Sequence, residues 1–217
     1  MIQAIVYDAV GTLIHVQPSV ALIYAEFGKR FGSQLQANEI RRRFSTAFAR
    51  QDQLDQQAGW RTSEPRERER WRQIVAEVLD DVTDAACFDA LFDMFAKPAV
   101  WTCDPEAGDV LANLHQRGIR QALASNFDRR LRGVIEPMPI ARYLESIVIS
   151  SEIGWRKPAP EFFAHVAESL RLPTSAILFV GDDRVNDYEA ALKAGMQAML
   201  VGRNGLKSLA DLPAEFV

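Results

Sequence analysis

The chain has 217 residues, with 25 Lys and Arg, 29 Asp and Glu, and a formal net charge of −4. Hydrophobic residues make up 48% and charged residues 25%, which is typical of a folded globular protein and excludes a disordered chain. The slight acidity argues against a duplex-binding protein, and no apolar run reaches the roughly 18 residues that a membrane-spanning helix needs.

The first predicted element is a buried strand over residues 2–7, which ends at Asp8 and continues into a turn at Gly11. The N-terminus, MIQAIVYDAV, lacks the basic segment of a signal peptide. Cys87 and Cys103 fit neither a disulfide framework nor a zinc site, and they are interpreted as reduced thiols. These features predict a cytoplasmic protein that binds neither nucleic acid nor membrane.

Residues 15–98 are predicted to be an all-helical module inserted after this first strand. Four segments carry helical periodicity, at residues 18–31, 37–50, 64–82 and 84–96, with a break at 59–63. The alternating Arg and Glu residues at 64–72 are interpreted as a solvated helix face, because their charges largely offset one another. Trp60, Trp71 and Trp101 are assigned to apolar core packing rather than to a cleft.

After residue 98, predicted strands and helices alternate along the chain. The strands are predicted at 119–124, 146–149, 176–180 and 197–201, and the helices at 105–117, 128–136, 159–170 and 185–195. This alternation predicts an α/β fold with a doubly wound, Rossmann-like parallel sheet, built from residues 1–14 and 99–217. The last segment, 203–217, is expected to be a short helix or turn at the edge of the sheet.

Polar residues follow the predicted strands, where open α/β sheets collect their functional groups. They are Asp8, Gly11, Thr12, Ser125, Asn126, Lys157, Asp182, Asp183, Asn186 and Asp187. Carboxylates bind Mg²⁺ through oxygen, and a metal and a lysine neutralise phosphate charge. One carboxylate could also attack phosphorus and form an aspartyl-phosphate. The set therefore predicts phosphoryl chemistry on a small phosphorylated molecule.

Four segments resemble motifs of the haloacid dehalogenase-like (HAD) hydrolase superfamily. IVYDAVGTLI is similar to the pattern hhhhDxxGTL, and ALASNFD, WRKPAPEFF and FVGDDRVNDYEAALKAGM are similar to the second, third and fourth motifs. The resemblance covers essentially the whole chain, and the helical insertion at 15–98 resembles the C1-type cap of this superfamily. A cap of that kind would close over the site and select the substrate.

The resemblance also implies roles for individual residues. The implied catalytic residues are Asp8 as nucleophile, Thr12, which orients the first loop, Ser125, and Lys157, which bridges Asp8 and the phosphate. The implied Mg²⁺ ligands are Asp8, the backbone carbonyl of Val10, Asp182, and Asp187, either directly or by supporting the ligands. The implied substrate-binding residues are Ala9, Val10, Ser125, Asn126 and Lys157.

Val10 departs from the pattern of the phosphatases in this superfamily, which carry a second aspartate at that position as general acid and base. Valine cannot transfer a proton, and such help is typically worth about 10²–10⁴ in rate. Turnover is therefore expected to be slow or atypical, and least impaired for an aryl or acyl phosphate. His15, Asp183 or an acid from the helical module could substitute, although His15 is interpreted as a loop residue without a chemical role.

Three other functions are compatible with these residues. A metal-independent 2-haloacid dehalogenase would share Ser125, Asn126 and Lys157, but it would lack the carboxylates of the fourth motif. A phosphonoacetaldehyde hydrolase would need a lysine in the cap for a Schiff base, and only Lys29 is available near the first motif. A HAD-like binding or regulatory protein without catalysis is the third reading, and the missing acid favours it.

Overall fold

The computed structural model describes residues 1–202 and 208–216, with the side chains of 213–216 left aside. Within these residues, five parallel strands form the central sheet in the order β5-β4-β1-β6-β7. The strands are β1 (Ala4–Tyr7), β4 (Arg120–Ser125), β5 (Ser146–Ile149), β6 (Ile177–Gly181) and β7 (Gln197–Leu200). This architecture confirms the predicted doubly wound α/β fold, and β1 lies at its centre.

Helices cover both faces of the sheet, as an all-parallel sheet requires. They are α5 (Ala107–Gln116), α6 (Arg130–Ile135), α7 (Ser150–Ile153), α8 (Pro160–Leu170) and α9 (Ala190–Lys193). Side chains alternate along β1, so that Ile5 and Tyr7 pack against α5 and α6 while Ala4 and Val6 pack against α8 and α9. All four of these β1 residues are fully buried, and β1 therefore holds the residue that follows it in a fixed position.

Residues 15–98 form four helices with an apolar core of their own. The helices are α1 (Val20–Arg30), α2 (Ala37–Gln57), α3 (Glu64–Val78) and α4 (Ala86–Met94). Ser19 and Ser63 cap α1 and α3 by accepting hydrogen bonds from backbone N–H groups. The predicted break at 59–63 is confirmed, since α2 ends at Gln57 and α3 begins at Glu64. The domain boundaries at 14/15 and 98/99 stay a prediction.

Three features differ from the sequence-based expectations. A two-stranded antiparallel ribbon, β2 (Ile14–Val16) and β3 (Trp101–Cys103), joins the two ends of the inserted segment, where no strand was expected. The predicted helix at 185–195 is a π-helical turn over Arg184–Glu189 followed by α9. The 64–72 run is not a solvated face throughout, because Glu67 and Arg70 are buried in an ionic cluster.

The two cysteines and the last segment of the chain agree with their predictions where the structure describes them. Cys87 and Cys103 are free thiols. Residues 209–216 form a 3₁₀ helix whose Leu209 and Leu212 join the apolar core, whereas 203–207 and 217 lie outside the described residues. Among the described helices, none has the length and apolar character required to cross a membrane.

Candidate active site

Asp8 occupies the carboxyl end of β1, and the backbone around it is tightly held. Its N–H donates to the carbonyl of Val180 on the neighbouring β6, at 2.8 Å. The next turn folds back because the Ala9 carbonyl accepts from the N–H groups of both Leu13 and Ile14, each at 2.9 Å. The Asp8 side chain is nearly buried, and it faces the cavity described below.

Lys157 is a buried ammonium shared by two carboxylates. Its Nζ lies 2.7 Å from Asp8 Oδ1 and 2.6 Å from Asp187 Oδ1. Burial by itself would lower the pKa of Lys157, but the charges of Asp187 and Asp8 outweigh burial and hold the pKa above its usual range. Lys157 therefore stays charged near neutral pH and fixes the position of both carboxylates.

The Ser125–Asn126 pair at the end of β4 supports the same two groups. The Ser125 hydroxyl donates to Asp8 Oδ1 at 3.1 Å. The Asn126 side chain binds the backbone of Lys157 from both sides, donating to its carbonyl at 3.0 Å and accepting from its N–H at 2.8 Å. Asn126 thus positions the lysine loop. Its predicted contact with a transferred group stays a prediction.

Asp8, Asp182 and Asp187 form an acidic cluster whose carboxylate oxygens lie within 4.8 Å of one another. Burial and the charge of Asp8 raise the pKa of Asp182 to about 6. Burial, followed by the charge of Asp8, raises the pKa of Asp187 to about 7, against the opposing effect of Lys157. One ammonium does not balance three carboxylates, and oxygen donors of this kind suit a hard divalent cation. The cluster therefore could hold a metal ion.

Two glycines make room for this cluster. A Cβ on Gly11 would overlap the carboxylate of Asp182, and Gly11 also has a φ of +95°, which favours glycine. A Cβ on Gly181 would overlap the carboxylate of Asp187. The glycines of the first and fourth motifs thus bring the two carboxylates against the backbone of the turn.

The remaining predicted residues of the first and fourth motifs have distinct places. The Thr12 hydroxyl lies 3.4 Å from Asp182 Oδ1, so it contacts the acidic cluster. Asp183 caps the π-helical turn by accepting from the N–H groups of Val185 and Asn186, at 2.8 and 2.9 Å. His15 Nε2 lies 3.1 Å from Asp104, and it is not among the described residues that line the cavity. Asp183 thus lines the cavity while it caps the π-helical turn, whereas His15 is paired with Asp104 outside the described lining residues.

A cavity of about 330 Å³ opens beside Asp8 and extends between the sheet and the inserted helices. Val10 lines it and is 37% exposed. Trp71 and Trp101 pack against the apolar core of the inserted helices, as predicted, but they also line the cavity, which the prediction did not include. Apolar periodicity could not separate a cavity wall from a core, because both require an apolar side chain at the same helical spacing. Lys29 is exposed in the last turn of α1 and is not among the described lining residues.

The loop that carries Lys157 is attached to the turn between α2 and α3. The Arg156 N–H donates to the Trp60 carbonyl at 3.0 Å, and the Thr62 N–H donates to the Gly154 carbonyl at 3.1 Å. The Arg156 side chain then enters a buried ionic cluster, where it lies 2.8 Å from Glu67 and 3.1 Å from Asp55. We call these contacts the Arg156 anchor.

Asp55 is the centre of this anchor, because it is fully buried and also pairs with Arg66 and Arg70. We expect Asp55→Asn to lower the free energy of unfolding by about 3–5 kcal/mol, since removing one partner leaves buried guanidinium groups uncompensated. Urea unfolding measures this change. The matched control is Asp89→Asn, which breaks an exposed pair with Arg68 and is expected to cost no more than about 1 kcal/mol. Equal losses in the two variants would contradict the prediction.

The family model described as haloacid dehalogenase-like hydrolase matches residues 2–195. The chain belongs to this family, which confirms the resemblance inferred from the motifs. Haloacid dehalogenase-like hydrolase domain-containing protein 3 of Danio rerio is 28% identical over 220 residues, covering 98% of this chain and 90% of that protein.

Two solved structures show the same fold in proteins of different activity. A HAD phosphatase from Thermococcus onnurineus has a TM-score of 0.69 at 19% identity, covering 99% of this chain and 98% of that one. The L-2-haloacid dehalogenase from Xanthobacter autotrophicus has a TM-score of 0.76 at 20% identity, covering 100% and 84%. At these identities the likeness concerns the fold alone, and the choice between the two chemistries depends on the residues of this site.

Proposed function

We propose that this chain is a Mg²⁺-dependent phosphohydrolase that acts on a small phosphorylated molecule through an aspartyl-phosphate on Asp8. The observation that carries the proposal is the convergence of Asp8, Asp182 and Asp187 around the Lys157 ammonium at the carboxyl edge of the sheet. We also propose that the protein is located in the cytoplasm and that it binds neither nucleic acid nor membrane.

The metal would be held by the carboxylates of Asp8, Asp182 and Asp187 and by the backbone carbonyl of Val10. When bound, it would neutralise charge on the phosphate and on the attacking carboxylate. Asp8 supplies the attacking oxygen, and Val10, which lines the cavity, together with the backbone of the buried Ala9 would contact the substrate. Lys157 and Ser125 hold that carboxylate now and are placed to neutralise and hydrogen-bond the transferred group. Thr12 orients Asp182.

The acidic cluster also weighs against the dehalogenase reading. A metal-free dehalogenase gains nothing from Asp182, because an extra carboxylate beside the nucleophile is a repulsive neighbour. Burial first, and then the charge of Asp8, raise the pKa of Asp182. In a cation site, by contrast, the closely spaced carboxylates of Asp8 and Asp182 would both be ligands of the metal ion. Valine at position 10 is compatible with a dehalogenase and with an inactive protein as well. It is also compatible with a phosphohydrolase whose substrate has a good leaving group.

The test compares phosphate release from acetyl phosphate and p-nitrophenyl phosphate with halide release from 2-chloropropionate, each with Mg²⁺ and with EDTA. We expect phosphate release that EDTA abolishes and added Mg²⁺ restores, and no halide release above background. Halide release that is unaffected by EDTA would support the dehalogenase instead. Absence of turnover on every compound would support a binding or regulatory protein.

A further inference from the structure

The cavity beside Asp8 has an aromatic wall that the chemistry at the sheet edge does not require. Neighbouring rings along it have centroid distances of 5.5–6.4 Å. We call these residues the aromatic wall: Tyr24, Phe44, Phe48, Trp71, Phe95, Trp101 and Phe127. Their continuity means that an apolar surface leads from the sheet, at Phe127, into the inserted helices, at Trp71.

Most of these rings are only partly buried, so their faces are available to a ligand. Phe44, Phe48, Trp71, Phe95 and Trp101 all retain intermediate exposure. A ring used only for core packing is normally covered by other side chains, as Phe162 and Phe179 are on the far side of the sheet. Aromatic rings gain from offset or edge-to-face contact with another ring, so this wall suits an aromatic ligand.

The charged side chains in the same part of the cavity are paired with one another. Arg70 binds Asp52 at 2.7 Å and also pairs with Asp55, while Arg156 binds Glu67 at 2.8 Å. Arg130 binds Asp128 at 2.7 Å and donates to the Phe92 carbonyl at 2.7 Å. Among the described lining residues, Arg70, Arg130 and Arg156 are therefore each paired with a carboxylate, and only the Nε of Arg156 is buried without a hydrogen-bond partner. A second anionic group on the substrate would compete with these carboxylates for the same guanidinium groups.

The valine at position 10 independently favours a substrate with an aromatic leaving group. Because no carboxylic acid stands at this position, the site lacks the group that would protonate the leaving oxygen there. A phenol-like hydroxyl has a pKa of about 10, against about 15.7 for water, so an aryl oxide leaves far more readily than an alkoxide. A chain that lacks the acid is therefore suited to an aryl leaving group.

From these two observations we propose that the substrate is a phosphate monoester of an aromatic alcohol, with its phosphate at Asp8 and its ring against the aromatic wall. This inference rests on the proposed function. In the first step, the bond from Asp8 Oδ to phosphorus forms while the bond from phosphorus to the aryl oxygen breaks. The aryl oxide keeps the electron pair and takes a proton from solvent.

In the second step, water attacks the phosphorus of the aspartyl-phosphate. The bond between Asp8 and phosphorus breaks, the carboxylate is regenerated, and the proton released by the water passes to solvent. The site is thus returned to its starting state, and the two products are the phenol and inorganic phosphate. No oxidant, reductant or further co-reactant is consumed.

The first experiment compares kcat/KM for 2-naphthyl phosphate and glycerol phosphate, with acetyl phosphate as a reactive compound that has no ring. We expect 2-naphthyl phosphate to exceed glycerol phosphate at least about 100-fold, since the pocket contact and the leaving group act together. Equal values for these two esters, with Mg²⁺-dependent turnover of acetyl phosphate intact, would overturn this inference and leave the proposed function standing.

A second experiment measures binding without turnover, using phenylphosphonate and methylphosphonate in calorimetric titrations. We expect the phenyl compound to bind at least about tenfold more tightly in the wild-type protein. The preference should shrink in Phe44→Leu and in Trp71→Leu, and it should persist in Phe31→Leu, which replaces a ring that is not among the described lining residues. Equal affinity of the two phosphonates would overturn the inference, even if the chain proved inactive.

Discussion

Asp8→Asn is expected to lower Mg²⁺-dependent phosphate release by on the order of 10⁴-fold or more, which is the scale seen when a nucleophile is removed. Asparagine has nearly the same size, so the hydrogen bond from Ser125 can persist. The amide is a far weaker nucleophile than the carboxylate. Among the described contacts of Lys157, the carboxylate of Asp187 would then be the one that remains. Single-turnover release of phosphate from p-nitrophenyl phosphate measures the loss.

The matched control for this variant is Asp104→Asn. Asp104 is a carboxylate that pairs with His15 outside the cavity, and its loss is expected to leave turnover within about twofold of wild type, as for other substitutions remote from a site. Circular dichroism confirms that both variants are folded. If Asp8→Asn kept a tenth of wild-type turnover, Asp8 would not be the nucleophile, and the proposed aspartyl-phosphate would have to be abandoned.

Val10→Asp is expected to raise turnover, by about 10²–10⁴ for a substrate with a poor leaving group such as benzyl phosphate. Val10 lies two residues after Asp8, lines the cavity and is 37% exposed, so a carboxylate there remains solvated and can exchange protons. The gain in kcat/KM should be small for p-nitrophenyl phosphate, whose leaving group needs no proton. Steady-state kcat/KM with both substrates measures the difference, because kcat/KM reports the step in which the leaving group departs, whereas kcat also includes the attack of water on the aspartyl-phosphate, which is the same for both substrates.

Val10→Asn separates proton transfer from a change in polarity, because asparagine has the shape of aspartate without its acid. We expect this variant to behave like wild type with benzyl phosphate. Equal gains in the Asp and Asn variants would show that the missing proton donor is not what limits turnover. The same result would also remove one of the two arguments for an aryl leaving group.

Much of the central sheet is visible in the sequence, because strands that are buried on both faces appear as short apolar runs. The run at 2–7 and the alternation after residue 98 therefore predict β1 and its neighbours to within a few residues. The candidate site is predictable for the same reason, since Asp8 and Asp182 directly follow a strand and Ser125 is the last residue of one. Parallel strands bring these ends to one edge.

The features missed by the sequence analysis depend on contacts between distant segments. The β2–β3 ribbon pairs residues about 87 positions apart, as in His15 with Thr102, and each strand has three residues. Glu67 and Arg70 looked like a solvated face because the carboxylate of Asp55 and the guanidinium of Arg156 come from other elements. The aromatic side chains on α1–α3 have the same helical spacing as core residues. The sequence therefore does not show that they line a cavity, which becomes visible only when the helices are packed together.

The Arg156 anchor sets how the inserted helices can move. Arg156 and Lys157 are consecutive, yet one is fastened to α2 and α3 and the other to the reactive carboxylates. Moving α2 and α3 away from the sheet as a rigid body would therefore either displace Lys157 from Asp8 or break the buried ion pairs of Arg156. We therefore expect any movement of these helices to be a rotation about the Arg156 anchor, so a mutation in the anchor should change the rates of ligand entry and exit more than the rate of bond breaking.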